Sequence, residues 1–499
     1  MFRLGSAAVR LEDVAAVAEG RLRAVLAAPA VRRVAASRRT LEAILVSGKA
    51  VYGVNTGFGE LASTRISSSR LAQMQRNLVL SHACGVGEPL AEAEARAILF
   101  LRLNELSRGF SGVRPALVRH LAKMLDAGVT PLIPSRGSVG ASGDLAPQAH
   151  MALAVIGEGD AFFRGRRMPS ALALRKAGLK PFVLAEKEGL SLLNGTQAMQ
   201  AIGGLALLTA RRVYDATQLA CAMSLDALTG TPAPYDAAVQ ALKPHPGQVA
   251  AAAGLRRLLA GSEIRRSHIA GDPRVQDSYS LRCAPQVHGA VLDRLEHARA
   301  VVEVELGSVT DNPLVVDGRV LSGGNFHGQA LSFAFDSAAG ALAALANVSE
   351  RRTFQVTAGI APRLQPFLTR DPGVESGYMI AQYAAAALAS ENKALAHPAS
   401  ADSVPTSANK EDFVSMGMWS ALKFKKVVWN AAQVAAIELV CASQALDFHR
   451  PLKSGKGVER ALAVLRAKVK PTKRDEVLSG RLETARELIL SGAFDEALA

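Results

Sequence analysis

Aromatic residues make up only 5% of this 499-residue sequence, and cysteine occurs four times, at Cys84, Cys221, Cys283 and Cys441. The cysteines are far apart, with no C-x-x-C and no histidine pair at zinc-ligand spacing, so a zinc site is not indicated and buried thiols are expected. Long apolar runs are missing as well. Stretches such as residues 432–446, AQVAAIELVCASQAL, contain a glutamate or fall short of the roughly 20 residues that span a bilayer, and no transmembrane helix is expected. At the N-terminus, MFRLGSAAVRLEDVAAVAEG places Glu12 and Asp13 where a secretory signal needs an apolar core, which points to the cytoplasm. No internal repeat, low-complexity linker or sustained heptad series is found, so solenoids and separate coiled coils are excluded. The net charge of +14 raises nucleic-acid binding, yet the basic residues are spread out and not interleaved with aromatics. The densest cluster, Lys468, Lys470, Lys473 and Arg474, reads as a solvated helix end, and a basic enzyme that attracts carboxylates explains the sign equally well.

What is present is 49% apolar residues against 20% charged, rich in Ala and Leu, the composition of a large, soluble, helix-rich protein that can bury a sizeable core. Two regimes divide it. Residues 40–200 are dense in Gly, Ser and Pro, whereas the sequence beyond 200 is mostly long helical pattern, giving an N-terminal region over 1–200 and a central and C-terminal helical bundle over 201–499 within one enzyme body. In 91–109, Ala95, Ile98, Leu99 and Leu103 recur at helical spacing and Gly109 stands where a helix would stop, which predicts an amphipathic helix. Similar patterns run over about 196–228, 286–307, 333–357, 376–396 and 416–446. Helices this long and this apolar predict that subunits cover one another in a homo-oligomer.

The most informative stretch is 134–147, PSRGSVGASGDLAP, followed by a helix-like QAHMALAVIGEG. By itself Gly-Ala-Ser-Gly-Asp is an ordinary turn with a helix cap at Ser142 or Asp144. It also meets the needs of a condensation. Attack of the Gly143 nitrogen on the Ala141 carbonyl carbon, with loss of water, leaves an imidazolone, and dehydration of Ser142 gives it an exocyclic methylene that is strongly electrophilic. Gly143 leaves the approach open, Ser142 carries the departing hydroxyl, Ala141 is small, and glycines at 137, 140 and 143 free the backbone.

The whole segment resembles the signature of the aromatic amino acid ammonia-lyase family, whose members carry 4-methylidene-imidazol-5-one (MIO) built from Ala-Ser-Gly. Further matches run from 52–60, YGVNTGFGE, to 392–416, NKALAHPASADSVPTSANKEDFVSM. The resemblance implies a mainly α, fumarase/aspartase-like long helical bundle, with the prosthetic group on the loop-rich N-terminal region, assembled as a homotetramer. Elimination of ammonia needs an electrophile for the amine, a base for a weakly acidic β-hydrogen, a cation for the carboxylate and recognition of the side chain. Tyr52, in its Gly-rich loop, is the candidate base; a phenol serves as one only where nearby positive charge or hydrogen bonding favours phenolate. In 274–289, RVQDSYSLRCAPQVHG, Gln276, Tyr279 and Arg282 stand three apart, so that one turn or loop aims all three at one cavity. The guanidinium fork of Arg282 suits a carboxylate. By resemblance Arg282 holds the substrate carboxylate, Tyr279 assists elimination and Gln276 lines the site. By the same resemblance Asn194, in 189–197, supports the prosthetic group and substrate, and Phe326, in 322–328, packs beside the imidazolone. In this scheme the methylene on Ser142 captures the amine while Tyr52 removes the β-hydrogen, without metal or nucleotide cofactor.

Substrate choice rests on Ser81 and His82 and on Glu411. A Ser-His pair and a glutamate at these places resemble the histidine-acting branch, with L-histidine giving urocanate; His82 offers an imidazole a hydrogen-bonding partner, and Glu411 can hold an imidazole nitrogen or accept protons from departing ammonia. Two residues depart from that branch: Phe413 replaces a usual histidine and Lys410 a common glutamine. They leave open a lyase or 2,3-aminomutase acting on phenylalanine, tyrosine or a related amino acid. A helical scaffold without catalysis is the competing class.

Overall fold

The computed structural model describes residues 1–47, 50–57, 64–272 and 274–498. The chain forms two compact units: Met1–Leu205 with Arg299–Asp336 and Pro398–Leu422, and Ala206–Ala298 with Ser337–His397 and Lys423–Ala499. The fold is mainly α, and the long helices lie where the periodicity predicts them: Gln197–Ala227, Ala284–Leu306, Gln329–Thr357, Met379–Leu395 and Gly417–Leu446.

In the first unit, Glu92–Leu106 corrects the amphipathic expectation, because every residue from Ala97 to Leu106 is buried. Its polar side chains find partners inside the protein: Asn104 accepts from Gly5 N–H at 2.9 Å and donates to Ser6 O at 3.0 Å, while Arg102 and Glu105 face each other at 3.4 Å. Three further helices, Leu71–His82, Leu145–Ile156 and Glu188–Leu193, pack together. Buried Gln75 of the first ties it to the third, accepting from Leu190 N–H at 3.1 Å, and to the loop before it, donating to Gly53 O at 3.3 Å. Strands are short: Val86–Pro89 pairs with Pro134–Arg136, and Asp160–Phe163 lies between Val129–Pro131 and Arg166–Pro169.

The second unit is built of helices around a fully buried ion pair, Arg352–Glu438, at 2.5 Å. Two helices, Gln329–Thr357 and Gly417–His449, are longer and more apolar than the runs in the sequence suggested, enough to cross a membrane by length and composition. Their apolar stretches are 61% and 89% buried inside the protein, which is where core helices put such surface. The cysteines also differ from expectation. Cys221 and Cys441 are buried, but Cys84 is exposed and Cys283 half-buried; Cys84 lies between the end of Leu71–His82 and the exposed strand Val86–Pro89.

Candidate active site

Residues 137–143 connect Pro134–Arg136 to Leu145–Ile156 through glycines at positive φ, +129° at Gly137, +73° at Gly140 and +71° at Gly143. At Gly143 the requirement is double, since a Cβ would also collide with the Gly195 carbonyl. That contact joins two loops: Asp144 N–H donates to Gly195 O at 2.8 Å and Gly195 N–H to Ser142 O at 3.3 Å. Asp144 anchors the bend from beneath, accepting from Met199 N–H at 2.8 Å in the first turn of Gln197–Ala227 and from Ser138 Oγ at 2.9 Å. Complete burial raises its carboxyl to about 6 against those hydrogen bonds.

A cavity of about 420 Å³ opens on this bend, lined by Tyr52, His82, Ser142, Asn194, Phe326 and Glu411, together with Asn312, Ser407, Lys410 and four leucines. Ser142 Oγ donates to Glu411 Oε1 at 3.0 Å, and Thr406 Oγ1 donates to Glu411 Oε2 at 2.7 Å. Thr406 and Glu411 also exchange backbone hydrogen bonds at 2.9 and 3.3 Å. Between them Ser407, Ala408 and Asn409 take left-handed φ of 51°, 51° and 70°, strain that the paired ends sustain. Glu411 and Thr406 also line a second cavity of about 160 Å³, against Ala141 and Gly143.

His82 ends the helix Leu71–His82. Its Nδ1 lies 3.1 Å from Ser81 Oγ, which donates to Leu78 O at 3.2 Å; Nδ1 therefore carries the proton, and Nε2 is the acceptor. Burial lowers the imidazole below its usual value, opposed by the Leu78 carbonyl and by the charge of Glu411. Asn194 Nδ2 donates to Asn312 O at 3.1 Å, while its buried Oδ1 has no partner among the described residues. Behind both asparagines lies a layer of buried charge. Arg102 donates to Asn194 O and Gln197 Oε1, Glu105 accepts from Thr310 N–H at 3.0 Å and Asp311 N–H at 2.9 Å, and Lys187 pairs with Asp311 at 2.8 Å. Burial pushes Lys187 down and Glu105 up, each opposed by its partner.

The structure thus brings Tyr52, His82, Ala141, Ser142, Gly143, Asn194, Phe326 and Glu411 together. Ser81 is exposed and lines a different pocket of about 340 Å³ with Met74, Asn77 and Leu78. Gln276, Tyr279 and Arg282 belong to the second unit and are not among the residues lining the Ser142 cavity. There Tyr279 is 70% exposed, the Arg282 guanidinium lies 4.7 Å from its ring centre, and Arg282 Nε is buried without a partner among the described residues. Phe413 stacks on His327 at 5.9 Å and does not line the cavity, whereas Lys410 does. Phe58, Gly59 and Glu60 of the Tyr52 motif lie outside the described residues. Sequence reasoning missed Asn312 and the charged layer; the available signal was charge at Arg102 and Glu105 among Leu99, Phe100, Leu101, Leu103 and Leu106. Among the described residues no group of three or more His, Cys, Asp or Glu could hold a metal ion.

A sequence profile described as "Aromatic amino acid lyase" matches residues 9–467. The chain belongs to the aromatic amino acid lyase family. It is similar to the histidine ammonia-lyase of Anaeromyxobacter sp. (strain K), 51% identical over 495 residues and 97% of each chain. Among solved structures, the histidine ammonia-lyase of Trypanosoma cruzi matches this family member with a TM-score of 0.92 at 39% identity, covering 100% of this chain and 95% of that one. The tyrosine aminomutase of Streptomyces globisporus matches with a TM-score of 0.93 at 36% identity, covering 100% and 98%.

Proposed function

We propose that this lyase eliminates ammonia from L-histidine to give urocanate, using an MIO group condensed from Ala141, Ser142 and Gly143. The observation that carries the reading is Ser142 held 3.0 Å from Glu411 in a cavity that His82 also lines. Formation of the group is supported by the side-chain-free approach at Gly143, by the bend pinned through Asp144 and Gly195, and by the unpartnered Asn194 Oδ1 on the cavity wall. When formed, it supplies an electrophile for the substrate amine. The acceptor Nε2 of a neutral His82 suits the N–H of an imidazole, and Glu411 holds the second ring nitrogen or takes protons released with ammonia. Tyr52 removes the β-hydrogen, and Phe326 packs against the reacting centre. Gln276 completes the lining, Tyr279 assists, and Arg282 binds the carboxylate through its fork. Exposed Tyr279, with Arg282 beside it, is offered to the cavity of another copy within a homotetramer, and the enzyme works in the cytoplasm. The 51% identity with a histidine ammonia-lyase supports the substrate assignment.

Incubation with histidine, phenylalanine and tyrosine, followed by the ultraviolet absorbance of each conjugated product, tests the substrate. Absorbance from histidine is expected; absorbance from either other amino acid with none from histidine overturns the assignment. Intact mass tests the prosthetic group, with a deficit of two waters expected and an unmodified mass favouring a non-catalytic scaffold. A second reading, a 2,3-aminomutase or lyase acting on another aromatic amino acid, is favoured by Lys410 in the cavity wall and by the likeness to tyrosine aminomutase. A β-amino acid product would establish the mutase.

A further inference from the structure

The turn Tyr279–Arg282 is short, four residues, yet Ser278, Ser280 and Leu281 are each hydrogen-bonded to side chains from outside it. Arg352 Nη1 donates to Ser280 O at 3.2 Å, Gln355 Nε2 to Ser280 Oγ at 3.0 Å, and Tyr235 Oη to Leu281 O at 2.8 Å. Ser278 Oγ donates to Gln355 Oε1 at 2.8 Å. Arg352 and Gln355 lie three residues apart on Gln329–Thr357, so one face of one helix reads both sides of the turn.

Arg352 is itself fixed on every side. Glu438 takes Nε at 2.5 Å and Nη2 at 2.8 Å, and Glu438 is completed by Ser224 Oγ at 2.8 Å and Ser349 Oγ at 2.6 Å. His288 Nε2 lies 3.2 Å from Arg352 Nη1, and its Nδ1 lies 2.8 Å from Gln218 Oε1. Gln218 Nε2 donates to Tyr214 Oη at 3.0 Å, which identifies Oε1 as the acceptor for His288 Nδ1–H. The Nε2 lone pair is then left for Arg352. Such a network has one proton arrangement and one geometry, and a buried arginine whose fork is already taken by Glu438 can direct its remaining nitrogen only at the turn and His288.

We infer that Arg352 and Gln355, backed by Glu438 and His288, are positioning residues that set the direction of Tyr279 and Arg282 for the reaction. The inference rests on the roles given above to those two residues. The network reaches the turn through its backbone and its serines, and not through the Tyr279 phenol or the Arg282 guanidinium, which lie against each other.

The test compares Gln355→Leu, Arg352→Lys and Arg282→Lys with the unaltered full-length enzyme, and adds Gln355→Leu in the Arg282→Lys background. Gln355 is only half-buried, so its substitution spares the core even if Arg352→Lys fails to fold. For Gln355→Leu the expected result is faster amide hydrogen exchange over residues 276–283, an unchanged two-water mass deficit, an unchanged melting temperature and a KM raised about tenfold. In the Arg282→Lys background the same substitution should add less than about twofold to KM, because residues acting through one another are not additive. Unchanged exchange over 276–283 overturns the clamp itself, and an equal KM penalty in both backgrounds overturns action through Arg282. Faster exchange with KM unmoved in both Gln355→Leu and Arg282→Lys instead defeats the roles assigned to Tyr279 and Arg282, and with them the functional meaning of the clamp.

Discussion

The Ser142 bend and the Tyr279 turn are held by opposite means. Around Ser142 the closest grip is backbone on backbone, where Gly143 lies against Gly195 and amides bridge the two loops, and the Asp144 carboxylate adds a bond to a helix N-terminus. Around Tyr279 it is side chain on turn, delivered by Arg352, Gln355 and Tyr235. On the proposed function, the bend reacts with itself, needs atoms pressed together and tolerates no extra methyl, whereas the turn presents side chains, needs direction and tolerates small changes. The first kind of site should therefore fail abruptly on substitution and the second by degrees.

Five substitutions sharpen that contrast. The largest effect is expected for Ser142→Ala, with the two-water mass deficit abolished and turnover reduced at least about 10³-fold; Gly143→Ala should match it in intact mass, because the new methyl has no space beside Gly195. Arg282→Lys comes next, raising KM about ten- to a hundredfold in steady-state kinetics while the mass deficit persists, since an ammonium cannot reproduce the fork. His82→Leu should narrow the preference for histidine over phenylalanine, as a ratio of kcat/KM, by about tenfold. Because burial lowers His82, protonation of its acceptor nitrogen should depress histidine turnover only below the ordinary imidazole range, and His82→Leu should remove that acid limb. The smallest effect concerns Asp144. Its folded value of about 6 lies above that of an exposed aspartate, so the folded protein holds the proton more tightly than the unfolded chain. Stability relative to Asp144→Asn should accordingly fall as pH rises from about 4 to about 6 and level off above, read from urea unfolding midpoints.

Much of the helical scaffold was legible because its signal is local: 416–446 was expected as one helix and is found as Gly417–Leu446. The Ser142 segment was legible because unusual backbone demands unusual composition. Less could be read where meaning depends on distant partners. The segment that carries Arg102 and Glu105 read only as an amphipathic helix, since nothing nearby in sequence announces Asn194, Gln197 or Thr310. Ser81 and His82 read as a pair, but a helix end turns adjacent residues different ways, so they line different cavities. Phe413 and Lys410 looked like equal departures, yet only Lys410 reaches the cavity wall.

The contact between Ser142 and Glu411 spans 269 residues of sequence. During synthesis at roughly 5–20 residues per second, the tripeptide leaves the ribosome on the order of ten seconds to a minute before the carboxylate that will face it. On the proposed function, ring closure that needs the Glu411 wall waits until Pro398–Leu422 has been made, and a chain halted before Pro398 is expected to keep Ala141, Ser142 and Gly143 as an ordinary peptide, read as an undiminished intact mass.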